Sequence, residues 1–448
     1  LQLRAGDIRK SHKSFRRLLE RGDEPFDERL ISLIPLLSQE DAKAADELMR
    51  RLARPHKDSA YAHYAAAVMA LQAEDAREAG RRARRSIELD PEWLKPKLVY
   101  ARSLLLDGDE DGAIEYVARI IGDDPDPDPD ARLELAIMLL SAGRDDDALS
   151  QINQIMLEQP GRSDALRLMA IINFRLERLD AAEADFSELL ASDQYTMDAF
   201  YYLARIADYR DEHDKAVDLY SRVIHGSNAV VSQRRASFIL SEQGEVEAAF
   251  EHLREFGETH PNYAVDMNLA EAQLLASLER YEEALAEYDR VIGFRPDDEE
   301  VYLGKAELLL RMGRLDDSIE LYEETADRWP DSAMTLNALG YTLADRTDRY
   351  TEAAKLIKKA LELDPDSAAI IDSHGWVLYR LGKHEEALVE LERAYERLKD
   401  PEVAAHIVEV LWKLEREDDA LAFLEEAEDL FPESELLQNV RERVFPDP

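Results

Sequence analysis

A small residue returns at almost constant spacing along this chain. Ala45, Ala79, Ala113, Ala148, Ala182, Ala216, Ala249, Ala284, Ser318, Ala353, Ala387 and Ala420 are separated by 34, 34, 35, 34, 34, 33, 35, 34, 35, 34 and 33 residues. A period of this length means a stack of repeated units, each packing only on its neighbours. The length agrees. The chain has 448 residues, and single cores stop growing near ~250–300 residues. Four positions after most of these small residues stands a large apolar one: Val117, Ile152, Phe186, Tyr220, Leu253, Tyr288, Tyr322, Ile357, Leu391 and Leu424. Residues four apart share one helical face. The small residue therefore lets two helices approach, and the large one fills the adjacent groove.

The punctuation fits two helices per unit. Mid-unit turns such as "LSAGRDDDA", "LRMGRLDDS" and "YRLGKHEEA" carry a glycine that ends the first helix. The acidic residues that follow suit the first turn of the second helix, where the dipole favours negative charge. Proline then closes many units, at Pro91, Pro125, Pro160, Pro261, Pro296, Pro330, Pro365 and Pro432. With only 17 Gly and 17 Pro in the chain, regular elements dominate. The predicted fold class is all-α.

Composition narrows the function. The chain has no cysteine, which excludes disulfides, thiolate metal sites and a cysteine nucleophile. No apolar run approaches the ~18 residues of a membrane span. A sequence opening on Leu1 is expected to be a piece or a processed form, with any targeting segment upstream. There are 56 Lys and Arg against 97 Asp and Glu, unevenly spread. Residues 1–102 carry 21 basic and 17 acidic groups; the remainder carries 35 and 80. An acidic body repels nucleic acid and anionic lipid and attracts basic partners. Plain solubility of outer helix faces is the competing explanation.

Motifs for catalysis do not assemble. "HEEAL" at His384 lacks the second histidine of a zinc-protease helix, because position 388 is Leu. No G-x-S-x-G turn, Walker loop or G-x-G-x-x-G is present. "DDPDPDPD", Asp123–Asp130, clusters carboxylates, but without the glycine and terminal glutamate of a calcium loop it reads as a stiff acidic connector. The expectation is a non-enzyme with no cofactor and no metal.

The period and pattern resemble the tetratricopeptide repeat, a helix–turn–helix unit of 34 residues. In the unit starting at Ala368, signature positions 4, 7, 8, 11, 20, 24, 27 and 32 are Ile371, His374, Gly375, Leu378, Ala387, Leu391, Ala394 and Lys399. His374 and Lys399 depart from the usual leucine and proline, with Pro401 two residues on. The resemblance implies a right-handed superhelical solenoid of about 12 repeats over residues 26–432. The units near Phe26 and Ala60 are degenerate, residues 1–25 form a basic helical extension or cap, and residues 433–448 form a tail or cap. It makes the ten small residues from Ala113 to Ala420 packing positions. It places Phe174, Tyr201, Phe238, Tyr341, Trp376, Tyr379 and Trp412 on the concave, protein-binding face. Acidic Asp345, Asp372 and Glu409 would form a rim there for a basic partner helix. The competing reading packs Trp376, Tyr379 and Trp412 against one another between units. The family's carboxylate clamp of Lys and Asn is not matched, since Asn337 stands alone, but Arg167, Arg205 and Arg234 line the middle of the array.

A narrower resemblance covers Asp372–Asp418, with "DSHGWVLYR", "AY", "DPEVAAH" and "EVLW". It is similar to the C-terminal units of bacterial envelope repeat proteins, most of all to the outer-membrane lipoprotein that partners a carboxyl-terminal processing protease. That resemblance implies a periplasmic adaptor that activates the serine protease and brings it cell-wall cross-link hydrolases. A lipidated cysteine upstream of Leu1 would then give the only membrane attachment, and nucleic acid would not be a partner. The alternative is a scaffold for another envelope or cytosolic assembly or secretion complex.

Overall fold

The computed structural model describes residues 7–20 and 25–445. Of the two terminal segments expected to act as caps, residues 1–6, 21–24 and 446–448 lie outside the described part. Among the described residues every regular element is helical: twenty-six α-helices and two short 3₁₀ segments. The chain divides into two compact units, Leu1–Asn228 and Ala229–Pro448.

The first unit opens with the helix Ile8–Leu19, which packs on Ala42–Ala53. The element before Ala42–Ala53 is broken into a 3₁₀ turn, Glu28–Leu33, and the short helix Ile34–Leu37, where Pro35 has no amide proton to give. Five regular pairs follow: Ala60–Gln72 with Ala76–Leu89, Leu94–Leu106 with Glu110–Asp123, Pro129–Ser141 with Asp145–Glu158, Ser163–Arg175 with Leu179–Ala191, and Thr196–Tyr209 with His213–Ser221. The pair from Ala60, degenerate in sequence, is regular in structure. The acidic Asp-Pro connector is non-helical between Asp124 and Asp128, and Pro129 opens the next helix.

The second unit holds six pairs and a closing helix. They are Ala229–Glu242 with Val246–Thr259, Ala264–Ser277 with Tyr281–Phe294, Glu299–Arg311 with Leu315–Arg328, Ala333–Arg346 with Tyr350–Leu363, Ala368–Arg380 with His384–Arg397, and Pro401–Lys413 with Glu417–Leu430. Glu435–Val444 then packs on Pro401–Lys413.

The register explains the packing. All ten predicted packing residues, Ala113, Ala148, Ala182, Ala216, Ala249, Ala284, Ser318, Ala353, Ala387 and Ala420, are fully buried. The crossing partner is often glycine. A Cβ on Gly375 would lie 2.6 Å from Leu391 Cγ and 3.2 Å from the Ala387 carbonyl; one on Gly340 would lie 2.6 Å from Ile357 Cγ1. Ser318 satisfies its buried hydroxyl by donating to the Ala306 carbonyl at 2.7 Å.

Turns repeat too. Gly108, Gly143, Gly244, Gly313 and Gly382 take positive φ just after a first helix; at the same place in other repeats Glu74, Glu177, Asp211, Glu279 and Glu415 do so without being glycine. At the start of several second helices an Arg or Lys bonds the acid three residues on, as in Arg280–Glu283, Arg314–Asp317, Arg349–Glu352, Lys383–Glu386 and Arg416–Asp419. Those acids sit where the helix dipole favours them.

Candidate protein-binding groove

Near the C-terminus three first helices and the closing helix surround a groove of about 570 Å³. Ala333–Arg346 contributes Tyr341 and Asp345, Ala368–Arg380 contributes Trp376, Tyr379 and Arg380, Pro401–Lys413 contributes Glu402, His406 and Glu409, and Glu435–Val444 contributes Leu436, Val440 and Arg443. Each residue projects inward because the 34-residue period brings one helical face round again in successive repeats.

The floor is a line of stacked rings. Tyr379 stacks on Trp376 at 5.0 Å, Trp376 on His406 at 4.1 Å, and His406 lies 6.4 Å from Tyr341 at a tilt. Below them His406 Nδ1 donates to Asp372 Oδ1 at 2.9 Å, and both residues are buried. Burial pushes the imidazole toward its neutral form, but the bond and charge of Asp372 outweigh it and raise the His406 pKa above the ordinary histidine value. Tyr341 donates to Glu402 Oε1 at 2.6 Å. Burial first, then the Glu402 carboxylate, push its phenol far above the usual range.

Two expectations are corrected here. Trp376 is not an exposed aromatic: only 6% of its surface remains accessible, and both Tyr379 and His406 of the following repeat stack on it. Its Nε1 is buried with no hydrogen-bond partner among the described residues. The acidic rim is not free either. Asp372 is buried against His406, Glu409 pairs with Arg443, and Asp345 pairs with Arg346 at 2.8 Å. Arg380 donates to the Asp345 carbonyl at 3.1 Å and to the Tyr350 hydroxyl at 2.8 Å. The groove offers a nearly charge-balanced surface of rings and ion pairs.

The other predicted residues divide. Tyr341 and Tyr379 line the groove, whereas Trp412 turns to Phe445 at 5.0 Å, edge to face. Phe238 is half-buried against the core of its own repeats. In the first unit Phe174 and Tyr201 flank the guanidinium of Arg205 at 4.5 and 5.6 Å. Neighbouring Arg167 is engaged by Asp198 and lies over the Tyr195 ring. Arg234 reaches Gln273 at 3.4 Å. Sequence reading missed His406, Glu402 and Arg443. The signal was the spacing: His406 follows Asp372, and Arg443 follows Glu409, by 34 residues, one repeat.

Contacts between consecutive repeats also take up much of the charge. Arg162–Asp130, Arg178–Asp146, Arg210–Asp180, Arg328–Asp297 and Arg397–Asp366 all bridge consecutive repeats. Part of the acidity is thus used in joining repeats. Among the described residues no cluster of ligating side chains is placed to hold a metal, and no helix is long and apolar enough to cross a membrane.

Two-helix units that cross at a buried small residue, stacked with a 34-residue period, define a helical-repeat protein that binds other proteins. The chain belongs to the tetratricopeptide-repeat family, whose patterns match residues 104–172, 167–229, 239–299, 303–368 and 373–435. It is similar to the TPR repeat-containing protein PA4667 of Pseudomonas aeruginosa, with 37% identity over 211 residues. That match spans 47% of this chain and 36% of the relative, so little more than a third of the relative is covered. Among solved structures, yeast Tom70 superposes with a TM-score of 0.50 at 16% identity, over 94% of this chain and 96% of that one. The Cut9–Hcn1 hetero-tetramer of the APC/C gives 0.41 at 13% identity, over 97% and 98%. The likeness to Tom70 shows the fold alone.

Proposed function

We propose that this chain is an envelope adaptor that binds and activates a carboxyl-terminal processing serine protease and presents it with peptidoglycan cross-link hydrolases. One observation supports this above others. The stretch Asp372–Asp418, which resembles the lipoprotein partners of such proteases, supplies Trp376, Tyr379, Arg380, Glu402, His406 and Glu409 to the groove. The residues that carry the resemblance are therefore among those that line the groove. A partner segment bringing its own apolar and hydrogen-bonding groups would fit the rings and paired charges better than a purely basic helix would. The outer-membrane, periplasmic setting belongs to this same reading.

The test is reconstitution. The purified protease is given a cross-link hydrolase substrate with and without this chain. The reading expects complex formation by size exclusion and faster substrate loss when the chain is present. No complex and unchanged proteolysis would leave the alternative, a scaffold for another assembly.

A further inference from the structure

The small-residue register reaches one period further back than the array: Ser11, 34 residues before Ala45, is 1% exposed. Ile8–Leu19 is thus placed like the second helix of a unit, ahead of Ala42–Ala53 and Ala76–Leu89. These three helices repeat an outward pattern. Ile8–Leu19 shows Arg9, Lys13, Arg16 and Arg17. One period on, the same positions are Lys43, Glu47, Arg50 and Arg51, three cations and one acid, with Arg54 just beyond the helix. Two periods on they are Arg77, Arg81, Arg84 and Arg85. The i, i+4, i+7, i+8 spacing puts each set on one helical face. All of these cations are exposed except Arg50, which is half-exposed. Ile8–Leu19 packs on Ala42–Ala53, and Ala42–Ala53 and Ala76–Leu89 both pack on Ala60–Gln72. A third period on, the pattern breaks: Asp111, Glu115 and Ala118 stand where cations stood, and only Arg119 remains.

The local acids do not cancel this face. Glu20 is held by Arg16, Glu47 by Arg51, Glu78 by Arg81 and Arg82, and Glu88 by Arg85. Arg9, Lys13, Arg17, Lys43, Arg54, Arg77 and Arg84 make no ion pair among the described residues, whereas many arginines of the acidic body are paired.

We infer that this face docks on an anionic phospholipid surface. The charge is spread over three helices and aims at no single pocket. It holds no exposed aromatic ring on which a nucleotide base could stack and no apolar centre of the kind that anchors a folded acidic partner. Basic residues near an anionic leaflet add attraction additively and fade within a Debye length of ~10 Å. The inference does not depend on which protein occupies the C-terminal groove.

Co-flotation of the full chain with vesicles tests it. Binding is expected to phosphatidylglycerol-containing vesicles and not to phosphatidylcholine alone, and to fall as salt rises. Changing Arg77→Gln, Arg81→Gln, Arg84→Gln and Arg85→Gln together should weaken it by about tenfold or more. Arg314→Gln, a paired cation of the second unit, should not. Should the quadruple variant melt early, Arg9→Gln with Lys13→Gln breaks no ion pair and must show the same direction of loss. Equal binding to both vesicle types, no binding to either, or capture of an oligonucleotide in preference to vesicles would each overturn the proposal.

Discussion

Asp372 and His406, one repeat apart, share a buried hydrogen bond of 2.9 Å beneath the Trp376 ring. The pair links two consecutive first helices and holds the aromatic line of the groove in place.

That bond carries a pH signature. Burial alone would depress His406, yet Asp372 raises it. A histidine raised in the folded state contributes its stability fully below the unfolded value of about 6.5 and loses it as pH climbs through the folded value. Glu402 and Glu409 of its own helix act in the same direction. The melting-temperature gap between wild type and Asp372→Asn should therefore be widest in mild acid and narrow as pH rises. His252 and His374 are lowered, both chiefly by burial, and act in the opposite sense, but they are common to both proteins and drop out of the difference. A gap that does not narrow as pH rises would mean that His406 is not held charged by Asp372.

Trp376→Ala should behave as a core deletion. The ring is 6% exposed and stacked against Tyr379 and His406, so a loss of about 3–5 kcal/mol is expected by denaturant titration. Tyr379→Ala, at the half-buried end of the stack, should cost less. This reverses the order expected of an exposed hot spot.

Ala387→Leu forces three more heavy atoms into a crossing already closed by Gly375 and Leu391. Overpacking of this kind costs about 1–3 kcal/mol. Because repeats support one another, the loss should spread to neighbouring interfaces. Hydrogen exchange should quicken in Pro401–Lys413 as well as in His384–Arg397, and protection unchanged in both would contradict the register.

The mid-unit turns give a prediction with paired signs. Glu415 holds φ 58° and Gly382 holds φ 79° at corresponding places. The left-handed region costs a side-chain-bearing residue about 1–2 kcal/mol, so Glu415→Gly should raise the melting temperature and Gly382→Ala should lower it. Equal responses of one sign would mean that side-chain contacts, and not backbone strain, set these turns.

The sequence by itself determined the repeat. A small residue every 34 positions, a large one four later and a closing proline can be read without coordinates, because each encodes a contact within a unit or with its neighbour. Ala387 and Leu391 are buried for that local reason. The tertiary structure alone decided what the inward faces present. Helical position sends Trp376 to the lining face, but whether a lining ring meets solvent depends on what the next repeat puts over it, and there it is His406. Trp412, equally inward in register, is taken up by Phe445 of the closing helix. Charges follow the same rule: Asp372, Glu409 and Asp345 read as a free rim along the chain, but partners one repeat or one residue away neutralise them once the helices stack. Periodicity fixes a direction for each side chain; only packing between repeats fixes its exposure and its partner.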